Sequence, residues 1–167
     1  CTFTKKHNEF KESYFAPLKN STPVKNSYNM KKNLIITGPN AAGKTTILKT
    51  TLFNILLSQQ IGYGFYKNAK INPYDYIHCY INIPDTSGRD SLFQAEARRC
   101  KDILDCIEEN PKKRHFCVFD ELYSGTNPYE AIASAYSYLN FMNSNKNVNY
   151  ILTTHYIDLC LKIERHD

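Results

Sequence analysis

Three short stretches carry residue types and spacings that could do chemistry. Gly38-Pro39-Asn40-Ala41-Ala42-Gly43-Lys44-Thr45 fits the glycine-rich phosphate-loop pattern. Small residues there let consecutive backbone N–H groups curl around a phosphate, Lys44 reaches the terminal phosphates, and the Thr45 hydroxyl ligates Mg²⁺, with Thr46 next along the chain. Chance would produce this pattern in about one chain in a hundred of this length, so a purely structural glycine turn is the weaker reading. A second stretch, Phe116-Cys117-Val118-Phe119, is apolar and ends in Asp120-Glu121. Asp120 is placed to anchor the metal and Glu121 to polarise an attacking water, although two acids ending a strand could also be solvated or capping residues. The third is His155, directly after the apolar run Tyr150 to Thr154.

These residues need elements to hold them. Leu34 to Thr37 reads as a buried strand, Gly38 to Gly43 as a loop, and Lys44 to Ile61, apolar at 48, 52, 55, 56 and 61, as a helix. Ile77, Cys79, Ile81 and Ile83 alternate with His78, Tyr80 and Asn82, the period of a strand with two unlike faces, and a turn follows at Pro84 to Arg89. Phe93, Ala97, Cys100, Leu104 and Ile107 form one helical stripe that starts at Ser91, where Ser91 and Gln94 spell a capping box, and ends near Asn110-Pro111. Phe116 to Phe119 is a strand. Asn127, Pro128 and Glu130 predict a capped helix start with a reciprocal capping box, Asn143 to Asn149 a polar loop, Tyr150 to Thr154 a strand, and Tyr156 to Ile163 a last helix. Strands alternating with helices predict an α/β fold with a largely parallel sheet flanked by helices, and they gather the loops after the strand ends in one crevice.

The 167 residues suit a single domain, with polar residues 1–32 as a lead-in of loops and short extended pieces, interrupted by Pro17 and Pro23, and residues 33–163 as the core. The chain opens at Cys1 without an initiator Met, which suggests a piece of a longer polypeptide. Hydrophobic residues at 42% and charged residues at 22% exclude a disordered or collagen-like chain. No apolar stretch approaches the roughly 18 residues of a membrane span, and the opening lacks the apolar centre of a signal peptide. Cys1, Cys79, Cys100, Cys106, Cys117 and Cys160 include no Cys-x-x-Cys pair, so reduced buried thiols are expected. The net charge of +5 permits nucleic-acid contact without demanding it. Lys112-Lys113-Arg114, the tightest basic run, reads as a solvated turn as readily as a phosphate contact.

One alternative is a GTPase. Asp85-Thr86-Ser87-Gly88 spells Asp-x-x-Gly and Asn145-Lys146 begins a guanine reader, but Val148 stands where that reader needs its acid.

Taken together, the phosphate loop, Ser91-Leu92-Phe93-Gln94-Ala95-Glu96, Phe119-Asp120-Glu121, Ser124-Gly125-Thr126-Asn127 and Thr153-Thr154-His155 resemble the ATPase domain of the MutS DNA mismatch-repair family over most of residues 15 to 163. The Leu-Ser-Gly-Gly signature of transporter ATPases is missing. The wording from Asp120 to Pro128 looks most like MutS-like proteins of large DNA viruses and some bacteria.

The resemblance implies a P-loop NTPase fold, ATP or ADP with Mg²⁺ as ligands, and ATP hydrolysis at a composite site built with a second copy of the same or a related domain. It also implies DNA handled by domains outside this chain, and an intracellular place, cytoplasmic or nuclear, or a virus factory or virion if the parent is viral. It gives Lys44 and Thr45 the phosphates and Mg²⁺, Asp120 the second metal contact, Glu121 the hydrolytic base, and His155 the γ-phosphate. Ser91 would reach the partner's nucleotide in trans. Asn40 adds a γ-phosphate contact or serves as a turn residue, and Pro23-Val24-Lys25-Asn26 is the nearest match to the adenine-packing segment, with Val24 in its centre. Departures are Asp90, an apparent extra residue before Ser91, and Ala41-Ala42 in the loop. The mismatch-reading Phe-x-Glu element, the clamp and lever domains and the helix-turn-helix of family members are not in the sequence. A nucleotide-gated dimerisation module with negligible turnover of its own is the rival reading.

Overall fold

The computed structural model describes residues 1–17, 22–83 and 91–164. The expected turn at 84–89, the Asp-x-x-Gly stretch and Asp90 lie outside the described residues.

The strand, loop and helix around the glycine-rich loop form as the sequence predicts: β4 is Leu34–Thr37 and α1 is Lys44–Ile61. The strands of one sheet, in the order β4-β8-β7-β6, all run parallel, with β6 at Tyr76–Tyr80, β7 at His115–Asp120 and β8 at Val148–Thr154. Residues 115–119 are fully buried, which explains why this strand is apolar throughout rather than alternating. β6 has the two unlike faces expected of it, one buried and one half-buried. Its His78 and Tyr80 side, the polar one in the sequence, is the more deeply buried.

Helices α2 (Leu92–Glu109), α3 (Pro128–Ser144) and α4 (Ile157–Glu164) build one core with the sheet, around Tyr80, Cys100, Ile107, Phe119, Leu139 and Leu152. Ser91 makes the full capping box with Gln94 at the start of α2. At α3 only half of the expected box forms. The Asn127 side chain accepts from the Glu130 N–H, whereas the Glu130 carboxylate takes the Thr126 hydroxyl instead of turning back to Asn127.

The lead-in forms the expected short extended pieces, but these assemble further than the sequence indicates. Thr2–Phe3 (β1), Glu9–Ser13 (β2) and Asn26–Asn29 (β3) are strands, and with the unforeseen Asn68–Ile71 (β5) they form a second sheet, ordered β1-β5-β2-β3. Its buried residues, Phe10, Met30, Ala69 and Ile71, join Leu48, Leu52 and Ile55 of α1 and Phe116, Val118 and Ile151 of the parallel sheet in a second core. Helix α1 therefore lies between two sheets. It also buries polar groups, each with a partner: the Thr51 hydroxyl meets Tyr28 at 2.7 Å, Asn54 accepts from the Phe65 N–H at 2.6 Å, and Ser58 meets Tyr66 at 2.9 Å. Those contacts fix the second sheet and its connections against the helix that opens at Lys44. No helix among the described residues is long and apolar enough to cross a membrane.

All six cysteines are free, but only Cys100 and Cys117 are buried, so the expectation of six buried thiols holds in part. Burial pushes the Cys100 thiol up to about 12. Arg114 is not simply a solvated turn residue: its guanidinium lies 4.8 Å above the Tyr74 ring and donates to the Pro73 carbonyl.

Candidate functional site

Parallel pairing brings the singled-out residues together. Thr37 is in register with Thr154, and Asp120 with Thr153, so the loop after β4, Glu121 after β7 and His155 after β8 leave the sheet side by side. The Glu121 N–H donates to the Thr153 carbonyl at 3.1 Å, continuing the ladder one residue past the strand.

The loop is shaped to present backbone N–H groups. Gly43 caps α1 at φ 86°, a left-handed conformation that favours glycine, and no side chain caps the helix. The first N–H groups of α1 thus have no side-chain acceptor, and the positive end of the helix dipole points into the loop. Lys44 Nζ is held over the same loop by the carbonyls of Gly38 at 2.9 Å and Pro39 at 3.0 Å, and lies 3.5 Å from His155 Nδ1. Asn40, Ala41, Ala42, Gly43, Lys44, Thr45, Thr46 and Glu121 line a cavity of about 240 Å³.

The acids sit opposite. The Thr45 hydroxyl donates to Asp120 Oδ1 at 3.1 Å, and the Thr153 hydroxyl bonds the same oxygen. Adjacent ligands of an octahedral Mg²⁺ lie about 2.9 Å apart, so the Thr45 and Asp120 oxygens have the hardness and spacing of a pair on one small divalent cation. Glu121 Oε1 meets His155 Nε2 at 2.6 Å, with both side chains partly exposed. Glu121 adopts φ 57°, a conformation costly for a residue with a side chain, and it turns the chain abruptly after the buried strand.

A second cavity of about 480 Å³ adjoins the loop, sharing Ala41, Ala42, Gly43 and Thr46, and it is closed by Phe15, Thr22, Pro23, Val24, Asn26, Ile47 and Thr50. Val24 therefore borders the loop. Phe15 and Thr50 were not singled out: Phe15 sits in a polar stretch, and Thr50 reads as an ordinary helix residue. Ser91 is exposed and is not among the residues lining either cavity. Asn145 and Val148 lie at the opposite end of the parallel sheet from Lys44, six residues or about 20 Å along β8, and Asn145 caps α3. A guanine reader there would not reach a nucleotide at the loop.

Among the described residues, His78, Cys106 and His115 bring ligand-type atoms within 4.8 Å of one another. The two imidazoles are nearly coplanar at 10°, with ring centres 5.4 Å and nitrogens 3.1 Å apart. That is a head-on N–H···N hydrogen bond, with the nitrogens aimed at each other and not at a shared metal position.

Comparison with known proteins points to one family. A sequence model of MutS domain V matches residues 34–167. The chain is 32% identical over 157 residues to the DNA mismatch repair protein MutS of Persephonella marina, covering 90% of this chain and 18% of that protein. It is 34% identical over 125 residues to the endonuclease MutS2 of Fusobacterium nucleatum, covering 74% and 15%, and 29% identical over 147 residues to MutS of Acholeplasma laidlawii, covering 86% and 17%. The chain thus spans less than a fifth of the length of these relatives. All three are bacterial, and the likeness to members from large DNA viruses gains no support from them.

Proposed function

The chain belongs to the MutS family through its domain V, and on that premise we propose that it is a P-loop NTPase domain that binds ATP with Mg²⁺ and hydrolyses it at a site completed by a second copy. In this reading the longer polypeptide couples hydrolysis to DNA, in mismatch repair or a related transaction inside the cell. The observation that carries it is the convergence of Lys44, Thr45, Asp120, Glu121 and His155 at the carboxyl ends of β4, β7 and β8 around an uncapped helix start.

The chemistry then divides among the chain's own groups. The loop N–H groups and Lys44 bind the phosphate chain, offsetting its charge with fixed donors. Thr45 and Asp120 would hold Mg²⁺, which when bound would offset the charge that develops on the phosphates. Glu121 takes a proton from water, and His155, in contact with both Glu121 and Lys44, orients the carboxylate and would contact the terminal phosphate. Val24 and its neighbours offer an apolar wall for the base. Ser91, exposed at the start of α2, faces outward and serves a partner's nucleotide rather than its own.

Calorimetry of Lys44→Ala tests the reading. ATP affinity should fall at least about a thousandfold, because a methyl group replaces a cation that makes two or more charge-assisted bonds. Unchanged affinity, or a parent that prefers GTP to ATP, defeats the assignment.

A further inference from the structure

Glu96 is a buried carboxylate, 1% exposed, in the second turn of α2. A helix gains nothing from burying an acid at that position, and desolvating a carboxylate is costly unless donors surround it. The donors come from another segment. Glu96 Oε1 accepts from the Ser124 N–H and the Ser124 hydroxyl, both at 2.9 Å, and Oε2 accepts from the Gly125 N–H at 3.0 Å. Ser124 and Gly125 follow Glu121 by three and four residues.

The span from 121 to 125 is fastened along most of its length. The Glu121 N–H holds the Thr153 carbonyl, the Tyr123 N–H donates to the Tyr80 hydroxyl at 3.2 Å, and the Tyr123 ring packs on Phe93 at 5.6 Å. Gly125 lies flush on the first turn of α2: a Cβ there would come within 2.7 Å of the Phe93 backbone nitrogen and 2.8 Å of the Leu92 side chain. Both Glu121 and Tyr123 have φ of 57°, so the segment follows a path its own residues disfavour and needs outside contacts to keep it. Leu92, Glu96, Asp120, Glu121 and Ser124 share the walls of one small cleft of about 170 Å³.

We propose that Glu96 is a positioning residue that ties Glu121 to the N-terminus of α2, so that whatever fixes the Ser91 end of α2 also fixes the acid that activates water. The inference rests on the ATPase reading and adds a route of regulation to it. Contact between a partner's nucleotide and Ser91 then reaches Glu121 through a packed, hydrogen-bonded unit with no hinge between them, and turnover depends on association even where ATP binding does not.

The test is a double-mutant cycle on turnover in the full-length polypeptide, comparing the parent, Ser91→Ala, Glu96→Gln and the double variant. The Gln side chain keeps the shape but sets an N–H₂ group against either the Ser124 N–H or the Gly125 N–H and removes the charge. Glu96→Gln should leave the ATP Kd within about threefold of the parent while lowering kcat at least about tenfold, with KM little changed. The double variant should fall no more than about twofold below the worse single variant, because both changes break one route. Gly125→Ala, which pushes the segment off α2 with the Glu96 charge intact, should give the same kcat loss and the same lack of additivity, and it decides the matter if Glu96→Gln does not fold. Multiplying effects, or parental kcat in either Glu96→Gln or Gly125→Ala, overturns the proposal. A parent that neither binds nor turns over ATP overturns the ATPase reading itself, before any variant is compared.

Discussion

The four strands of the parallel sheet have two very different ends. At the amino ends His115 is fully buried, its Nδ1 faces His78 Nε2 at 3.1 Å, its Nε2 donates to the Asn110 carbonyl at 3.0 Å, and Tyr76 stacks on it at 5.0 Å. The side-chain polar groups of this layer are matched within the protein. At the carboxyl ends Lys44, Thr45, Asp120, Glu121 and His155 also touch one another, but their contacts border an open cavity, Glu121 and His155 are partly exposed, and Glu121 carries backbone strain. One end spends its polar groups on holding strands together. The other leaves them around a cavity at the strand ends, the place where open α/β sheets take ligands.

Exchanging the two ends by mutation gives the sharpest contrast. Glu121→Gln should slow single-turnover ATP hydrolysis at least about a hundredfold while ATP binding and thermal stability stay close to the parent, since the amide keeps the shape but is a poor base. His115→Phe should do the reverse. It leaves the Asn110 carbonyl and His78 without their partner in a dry layer, at a cost of about 1–3 kcal/mol in denaturant unfolding, with kcat per folded molecule little altered. If Glu121→Gln hydrolyses ATP at the parental rate, the carboxyl-end acid is a surface residue and the contrast fails.

A pH series separates the ends more finely. Burial, with lesser contributions from His115 and Arg99, pulls the His78 pKa down to about 4 from its usual 6.5. In the folded chain His78 is therefore neutral where the unfolded chain already takes up a proton. Its contribution to stability is complete above about pH 6.5 and is lost as pH falls from there toward 4. The parent's thermal midpoint should drop across that window more steeply than that of His78→Gln, and equal slopes would show that His78 is not held neutral by the fold.

How much of this was legible beforehand depends on where each residue finds its neighbours. The loop 38–43, α1, the Ser91 cap and the strand before Asp120 are all readable because their signals are local: small residues, a helical stripe, a hydroxyl three residues before a glutamine. Likewise, parallel strands force Lys44, Asp120 and His155 to one sheet end once the strands themselves are found. The second sheet was missed because its core is supplied from outside. Phe10 and Met30 are isolated apolar residues in a polar stretch, and they are buried in a core they share with Leu48, Leu52 and Ile55 of α1. Glu96 was visible in a motif, but its engagement with Ser124 and Gly125, 28 and 29 residues away, has no signature in the spacing.

The smallest effect makes the closest comparison, between two helix caps. Ser91 and Asn127 each sit at extended backbone angles and each accept an N–H from three residues ahead, at 3.3 Å from Gln94 and 3.1 Å from Glu130. As side-chain caps they are alike, although only Ser91 completes a reciprocal box with Gln94, and replacing either by Ala should cost about 1 kcal/mol of stability. They differ in what else they are positioned to do. Ser91 stands at the exposed start of the helix whose next turn is bound through Glu96 to the segment after Glu121, whereas Asn127 only opens α3. Specific ATPase activity should therefore rise with protein concentration in Asn127→Ala as in the parent and stay low in Ser91→Ala, although both variants bind ATP equally well. Mixing Ser91→Ala with Lys44→Ala should restore part of the activity, because the one nucleotide-competent loop then meets an intact Ser91 from its partner, provided both proteins are folded and associate. Matching activity in the two cap variants would reduce Ser91 to a cap and leave the carboxyl end of the sheet complete within a single chain.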